Sequence, residues 1–168
     1  MTHPSNKFIK DTILKLLSAI GSEKEINKYI EKFSSPEQRF AVIKVGGSVI
    51  DNDLENLISS LVFLNQVGLK PVILHGAGPM LSKALEEQKI DFSFIDGQRV
   101  TSVEVRDVAC SVFGETNKKI VNSLEAQGAN AKGVTSNVFE CIMDNADLGY
   151  VGSIQSVNHQ LILSLIHI

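Results

Sequence analysis

The sequence predicts an α/β domain in which a mainly parallel sheet is sandwiched by helices, preceded by a pair of N-terminal helices. Three observations predict it. From residue 40 onward, short apolar runs alternate with stretches of helical periodicity, the strand–helix–strand–helix order of a parallel sheet. The strand runs are apolar on both faces, as in sheets covered on each side. Residues 1–35 carry helical stripes only. A length of 168 residues suits one domain, at ~100–200 residues each. The chain therefore divides into a helical extension, 1–35, and a domain, 36–168.

In the extension, Ile9, Ile13, Leu16, Leu17 and Ile20 recur at three- and four-residue steps, and Gly21 ends that helix. Ser22 with Glu25 forms a capping box, each side chain satisfying an orphan backbone donor of the next helix. Ile26, Tyr29, Ile30 and Phe33 make the second stripe, and Ser34-Ser35-Pro36 breaks the chain. Both stripes must be buried, either on the domain or on another subunit.

Phe40 to Val45 is the first β-rich run, closed by Gly46-Gly47. After the cap-type residues Asp51 to Asp53, a stripe of Leu54, Leu57, Ile58, Leu61 and Leu64 predicts a helix to Gly68. Pro71 to Leu74 is the second strand, and a helix through Leu81, Ala84 and Leu85 follows Pro79. Ile95-Asp96-Gly97-Gln98 predicts a tight hairpin, because Asp-Gly suits the positive φ of such turns. Thr101 with Glu104 predicts a capped helix towards Phe113, and Asn117 to Gln127 a second one closed by Gly128. Ala131–Val134, Val138–Met143 and Tyr150–Val157 read as strands, and Asn158 opens a last helix with Leu161, Ile162 and Leu165 apolar. No cap, polar tail or glycine follows Ile168, which predicts a piece of a longer chain.

Composition narrows the function classes. Lys and Arg total 16 against 19 Asp and Glu, a net charge of −3 with no basic block, a poor match for nucleic acid. With 43% apolar and 21% charged residues the chain can bury a core and is not a disordered tail. No apolar run reaches the ~18 residues of a membrane span. Cys110 and Cys141 are far apart, with no CxxC spacing or His cluster; this argues against a disulfide framework and a zinc site. Both read as small buried apolar groups. No metal ligand set is expected, and nothing resembles a secretory signal, so a reducing cytoplasm is the expected compartment.

Two junctions concentrate the chemistry: Lys44-Val45-Gly46-Gly47-Ser48 and His75-Gly76-Ala77-Gly78-Pro79. Each follows a strand and leads into a helix, at the sheet edge where open α/β sheets bind ligands. Glycines there let backbone N–H groups approach an anion, and Pro79 suits a first helical turn. If the strands are parallel neighbours, both turns open on one edge and could hold one anion between them. Lys44 lies among four apolar residues of Ala41–Val45, where burial is costly unless its ammonium reaches an anion or water. A fixed ammonium there could stabilise charge on a transferring phosphoryl group. Neither GxxxxGK[ST] nor a full GxGxxG is present. Arg99, after the Asp96-Gly97 turn, could grip a carboxylate through paired hydrogen bonds, or pair with a nearby acid at the surface. His75 reads as a residue that orders its loop, and Asn117, Lys118 and Lys119 as a solvated helix face.

Together these residues resemble the amino acid kinase family, and within it the N-acetyl-L-glutamate kinases. The family pattern, Lys-x-Gly-Gly, then His-Gly-Gly-Gly-Pro, then Gly-Leu-Arg-Val-Thr, is matched by Lys44–Gly47, His75–Pro79 and Gly97-Gln98-Arg99-Val100-Thr101. A family-like Gly149-Tyr150-Val151-Gly152 follows, and the likeness runs from about Phe40 to Val157. It looks closest to a branch in which the kinase domain is fused to an acetyltransferase domain.

The resemblance implies a three-layer α/β/α sandwich around a mainly parallel sheet, incomplete here and usually built into homo-oligomers. It implies that Lys44 stabilises the transferring phosphoryl group and that Gly46 and Gly47 contact the γ-phosphate. Gly76, Ala77 and Gly78 would hold the carboxyl end being phosphorylated, and Arg99 the other carboxylate. The substrate would be N-acetyl-L-glutamate, the donor ATP with Mg²⁺, and the product N-acetyl-L-glutamyl 5-phosphate in arginine biosynthesis. Ala77 and Gln98 depart from the pattern, and Ala77 would add a methyl beside the substrate. The family's downstream ATP-binding half has no match before Ile168, so this piece is expected to be inactive alone. The alternative is a non-catalytic, arginine-sensing domain of an N-acetylglutamate synthase, a class that tends to lose the lysine.

Overall fold

The computed structural model describes residues 40–66, 69–143 and 145–166. The expected helical pair in 1–35, and Gly68 as a helix stop, lie outside the described residues. The first strand, β1 (Phe40–Val45), runs into a short helix α1 (Gly47–Asn52) and then α2 (Leu54–Gln66). β2 (Lys70–His75) returns parallel to β1, with Val42 opposite Val72, Lys44 opposite Leu74 and Val45 opposite His75. Parallel neighbours need a crossover of a dozen or more residues, and the α1–α2 pair supplies it. The α/β class with a parallel strand pair is thus as the sequence predicts.

Helix α3 (Gly78–Glu87) leaves the end of β2, with Pro79 in its first turn. A hairpin of β3 (Phe94–Ile95) and β4 (Gln98–Arg99) turns at Asp96 (φ 49°) and Gly97 (φ 79°), as the Asp-Gly pair predicts. A helix α4 (Val103–Ala126) follows, about 36 Å long at ~1.5 Å per residue. β5 (Phe139–Met143) and β6 (Gly152–Val157) form an antiparallel pair flanking a 3-10 turn, Ala146–Leu148. The last helix is α5 (His159–Ile166), and Asn158 Oδ1 accepts from Leu161 N–H at its start.

The main core joins Val45 of β1 to Ile50 of α1, Ile58, Leu61 and Val62 of α2, and Ile120 and Leu124 of α4. Ile43 and Ile73 pack against it from the strands. A second cluster, Leu81, Leu85 and Val105, clamps α3 to α4, with Phe92 packed on it. Each fully buried aliphatic side chain of this kind contributes ~1.5–3 kcal/mol. The strand face opposite the main core is open among the described residues, with Val42 64% exposed.

Four sequence expectations change. The two helices expected over 101–127 are one, continuous through Gly114, because Thr116, Ile120 and Leu124 bury one face and outweigh a glycine penalty of ~1 kcal/mol. Its cap is Ser102, whose Oγ accepts from Val105 N–H, so the cap lies one residue after Thr101. Ala131–Val134 is not a strand. Cys110 and Cys141 are exposed, not buried: Cys110 lies on an open side of α4 and Cys141 in the uncovered β5–β6 ribbon.

Candidate active site

Both glycine junctions open at the carboxyl ends of β1 and β2, and they touch. The Gly76 N–H donates to the Val45 carbonyl (3.0 Å), which ties the second turn to the end of the first strand. A methyl group on Gly47 would lie 2.9 Å from Pro79 Cδ, 3.0 Å from the Gly78 nitrogen and 3.2 Å from Ala77 Cα. Such distances leave no room for any Cβ, so glycine at 47 is what allows the two turns to meet. Gly46 and Gly78 are exposed, Gly47 and Gly76 half-buried.

Ala77 is wholly buried, and its φ of −142° is negative, so the position does not require glycine. Its methyl packs inside the junction. Lys44 stands one residue before the end of β1. The burial cost expected for its ammonium does not arise, because the residue is exposed among the described residues.

Arg99 approaches the same region from the hairpin. Its Nη2 donates to Ser82 Oγ (2.7 Å), on helix α3 about one turn beyond Gly78. The guanidinium carbon lies 4.3 Å from the centroid of Phe92 and 4.7 Å from that of Phe94, two rings set edge to face. Burial pulls its pKa below the ordinary guanidinium value, and it remains a cation. Nη1 is buried without a hydrogen-bond partner. Among the described residues no acid pairs with it, and the observed ion pair is Arg106–Asp107, so the surface-pair alternative is not what Arg99 does.

The segment after Arg99 is anchored by backbone. Thr101 N–H donates to the Leu148 carbonyl (2.9 Å), and Tyr150 N–H to the Thr101 carbonyl (2.8 Å). Gly149, at φ 67°, has the Thr101 carbonyl where a Cβ would stand. Arg106 lies over the Tyr150 ring at 4.6 Å. The Gly149–Gly152 signature thus buttresses the strand that carries Arg99.

His75 is held against helix α4. Its Nε2 is 3.3 Å from Asn117 Nδ2, and its ring stacks on Phe113 with centroids 6.3 Å apart. These contacts fit a loop-ordering residue, and they leave Asn117 half-buried, whereas Lys118 and Lys119 stay solvated. An apolar cavity of about 1320 Å³, lined by Val42, Leu74, Phe113, Phe139 and Leu161 among others, contains none of Lys44, Gly47 or Arg99. Among the described residues no group of three His, Cys, Asp or Glu could hold a metal ion. No helix among them is long and apolar enough to cross a membrane.

The sequence pattern of the amino acid kinase family matches residues 39–167. The chain belongs to the amino acid kinase family. Among its relatives, the protein arg11, mitochondrial, of Schizosaccharomyces pombe is 45% identical over 151 residues, covering 89% of this chain and 17% of that protein. An acetylglutamate kinase of Xanthomonas campestris is 45% identical over 141 residues, covering 83% of this chain and 33% of that enzyme. An N-acetylglutamate synthase of Neisseria gonorrhoeae, solved with coenzyme A and N-acetyl-glutamate, superposes with a TM-score of 0.68. That match covers 86% of this chain and 34% of the synthase at 20% identity, a likeness of fold alone. The chain spans a third or less of the length of these two curated relatives.

The sequence carries no signal for the roles of Ser82, Phe92 and Phe94. Their relation to Arg99 is tertiary: Ser82 sits 17 residues away on another element. A serine inside an amphipathic helix carries no linear signal of such a role.

Proposed function

We propose that this chain is the acyl-substrate half of an N-acetyl-L-glutamate kinase, which phosphorylates the side-chain carboxylate of N-acetyl-L-glutamate in arginine biosynthesis. The observation that carries this reading is the contact between Gly47 and the Ala77-Gly78-Pro79 turn. It brings two glycine turns to one mouth, and in this reading the first holds the γ-phosphate and the second the acceptor carboxylate. Relatives named acetylglutamate kinase support the substrate.

In the proposed reaction a carboxylate oxygen attacks the γ-phosphorus of ATP, the bond to the β-phosphate oxygen breaks, and ADP leaves. The acceptor is already ionised at neutral pH, so no general base is required. His75, with Nε2 against Asn117 and its ring stacked on Phe113, is given no such role here. Gly46 and Gly47 offer backbone to the γ-phosphate; Gly76, Ala77 and Gly78 hold the acceptor carboxyl, and Arg99 the other carboxylate. Lys44 stabilises the charge spread over the phosphoryl oxygens. An exposed ammonium is screened by water, and its effect grows when bound substrates exclude that water. In this reading Mg²⁺ arrives on the nucleotide phosphates, and among the described residues no group of three His, Cys, Asp or Glu would hold it. The remaining nucleotide contacts come from outside this chain, which alone does not turn over. The intact enzyme is a cytoplasmic homo-oligomer in this reading. Sizing chromatography and a fluorescent fusion test those two points, the latter because the yeast relative is named mitochondrial.

Steady-state kinetics on the intact protein test the reading. Lys44→Ala should lower kcat by about 10²–10³, the usual loss for a preorganised electrostatic group, with KM for N-acetyl-L-glutamate little changed. Arg99→Ala should raise that KM by about 100-fold with a smaller effect on kcat. Equal effects on both parameters in both variants would defeat the role assignment. Arginine binding without any phosphoryl transfer by the intact protein would point instead to a non-catalytic sensing domain.

A further inference from the structure

We infer that Ser82 is a positioning residue for Arg99: with Phe92 and Phe94 it fixes the guanidinium so that its Nη1 edge is left for a ligand carboxylate. This deepens the kinase reading and rests on it. A guanidinium presents donors only in its plane, while its faces take aromatic rings. Here the ring centroids of Phe92 and Phe94 lie 4.3 and 4.7 Å from the guanidinium carbon, and Nη2 is held by Ser82 Oγ at 2.7 Å. Rotation about the end of the side chain would break the hydrogen bond or the contacts with the rings. Nη1 is left out of water and without a partner.

A buried, unpartnered donor on a cation is costly, and such groups in native structures call for an explanation. No acid of the described chain supplies one. A carboxylate placed on Nη1 would meet a donor that has already lost its water and lies in a fixed plane. Ser82 is on α3, the helix that begins at the second glycine turn. Its hydroxyl therefore sets the distance between the group gripping one end of the substrate and the turn holding the other. Phe92 packs against the Leu81–Leu85–Val105 cluster, which ties this corner to the core.

The test uses kinetics of the intact protein with N-acetyl-L-glutamate, and with its α-amide as a probe lacking the free carboxylate. Ser82→Ala should raise KM for the acid about tenfold, the loss of one hydrogen bond to a charged group, and leave kcat within about twofold. The preference for the acid over the amide should fall by a similar factor. Ser82→Thr, which keeps the hydroxyl, should restore both values. Ser82→Cys, close in size but a weak acceptor, should behave as the alanine variant does, and it stands in should the alanine protein not fold. Wild-type KM and preference in Ser82→Ala, alongside a large KM rise in Arg99→Ala, would overturn the positioning role and leave the kinase reading intact. Wild-type KM in Arg99→Ala as well would overturn both.

Discussion

At the mouth of β1 and β2 the candidate site is made of backbone, whereas at the β3–β4 hairpin it is made of side chains. The first region brings Gly47 against Ala77, Gly78 and Pro79 with no side-chain cap on α1 or α3. The second holds one cation by a hydroxyl and two rings, on a strand that leads into Thr101, itself tied to Leu148 and Tyr150. A backbone site concentrates its requirement on the residue with no Cβ. A side-chain site spreads its requirement over several positions, each of which can be weakened by degrees. Glycines in the two regions should therefore respond very differently to the same added methyl group.

Gly149→Ala should give the largest loss. The position combines φ 67° with the Thr101 carbonyl where a Cβ would stand. A sparsely populated backbone and an overpacked contact together cost about 3 kcal/mol. Urea unfolding would register that shift. The damage should propagate to Arg99 through Thr101 and raise KM for N-acetyl-L-glutamate. A stability change under about 1 kcal/mol would mean that the hairpin is not held by this loop.

Gly47→Ala should come second, at about 2 kcal/mol, because Pro79 Cδ and two backbone atoms cannot rotate away as a flexible side chain could. Relief requires the turns to separate, so kcat should fall more than KM rises. A variant with near-normal stability and turnover would mean that the shared mouth is not needed for the chemistry.

The backbone region was legible in the sequence because its signals are local. Glycine pairs after β-rich runs and the Pro79 punctuation each mark one turn, and the Leu54–Leu64 stripe fixes the crossover that makes the strands neighbours. The Asp96-Gly97 turn was legible for the same reason. The side-chain region was legible only at Arg99 itself. Ser82, Phe92 and Phe94 acquire meaning when α3 and the hairpin meet, which no spacing encodes. Two further differences have tertiary causes. Helix α4 runs through Gly114 because its buried face outweighs a local penalty. Lys44 is exposed because the described elements leave one face of β1 open. The apolar periodicity of β1 reports the potential for burial on two sides, not which sides are covered.

Gly78→Ala should have the smallest effect on the fold and separates folding from function most cleanly. Nothing lies within 4 Å of a methyl group there, and the residue is exposed in the first turn of α3. Alanine in a helical position is favoured over glycine by roughly 0.5–1 kcal/mol, so stability should hold or rise slightly. The packing of this turn therefore gives no reason for a glycine at 78. If the acceptor carboxyl sits on this backbone, the added methyl stands between it and the N–H, and KM for N-acetyl-L-glutamate should rise about tenfold while thermal melting stays unchanged. If both stay at wild-type values, Gly78 is neither structural nor part of the cradle, and the substrate contacts of the second turn contract to Gly76 and Ala77.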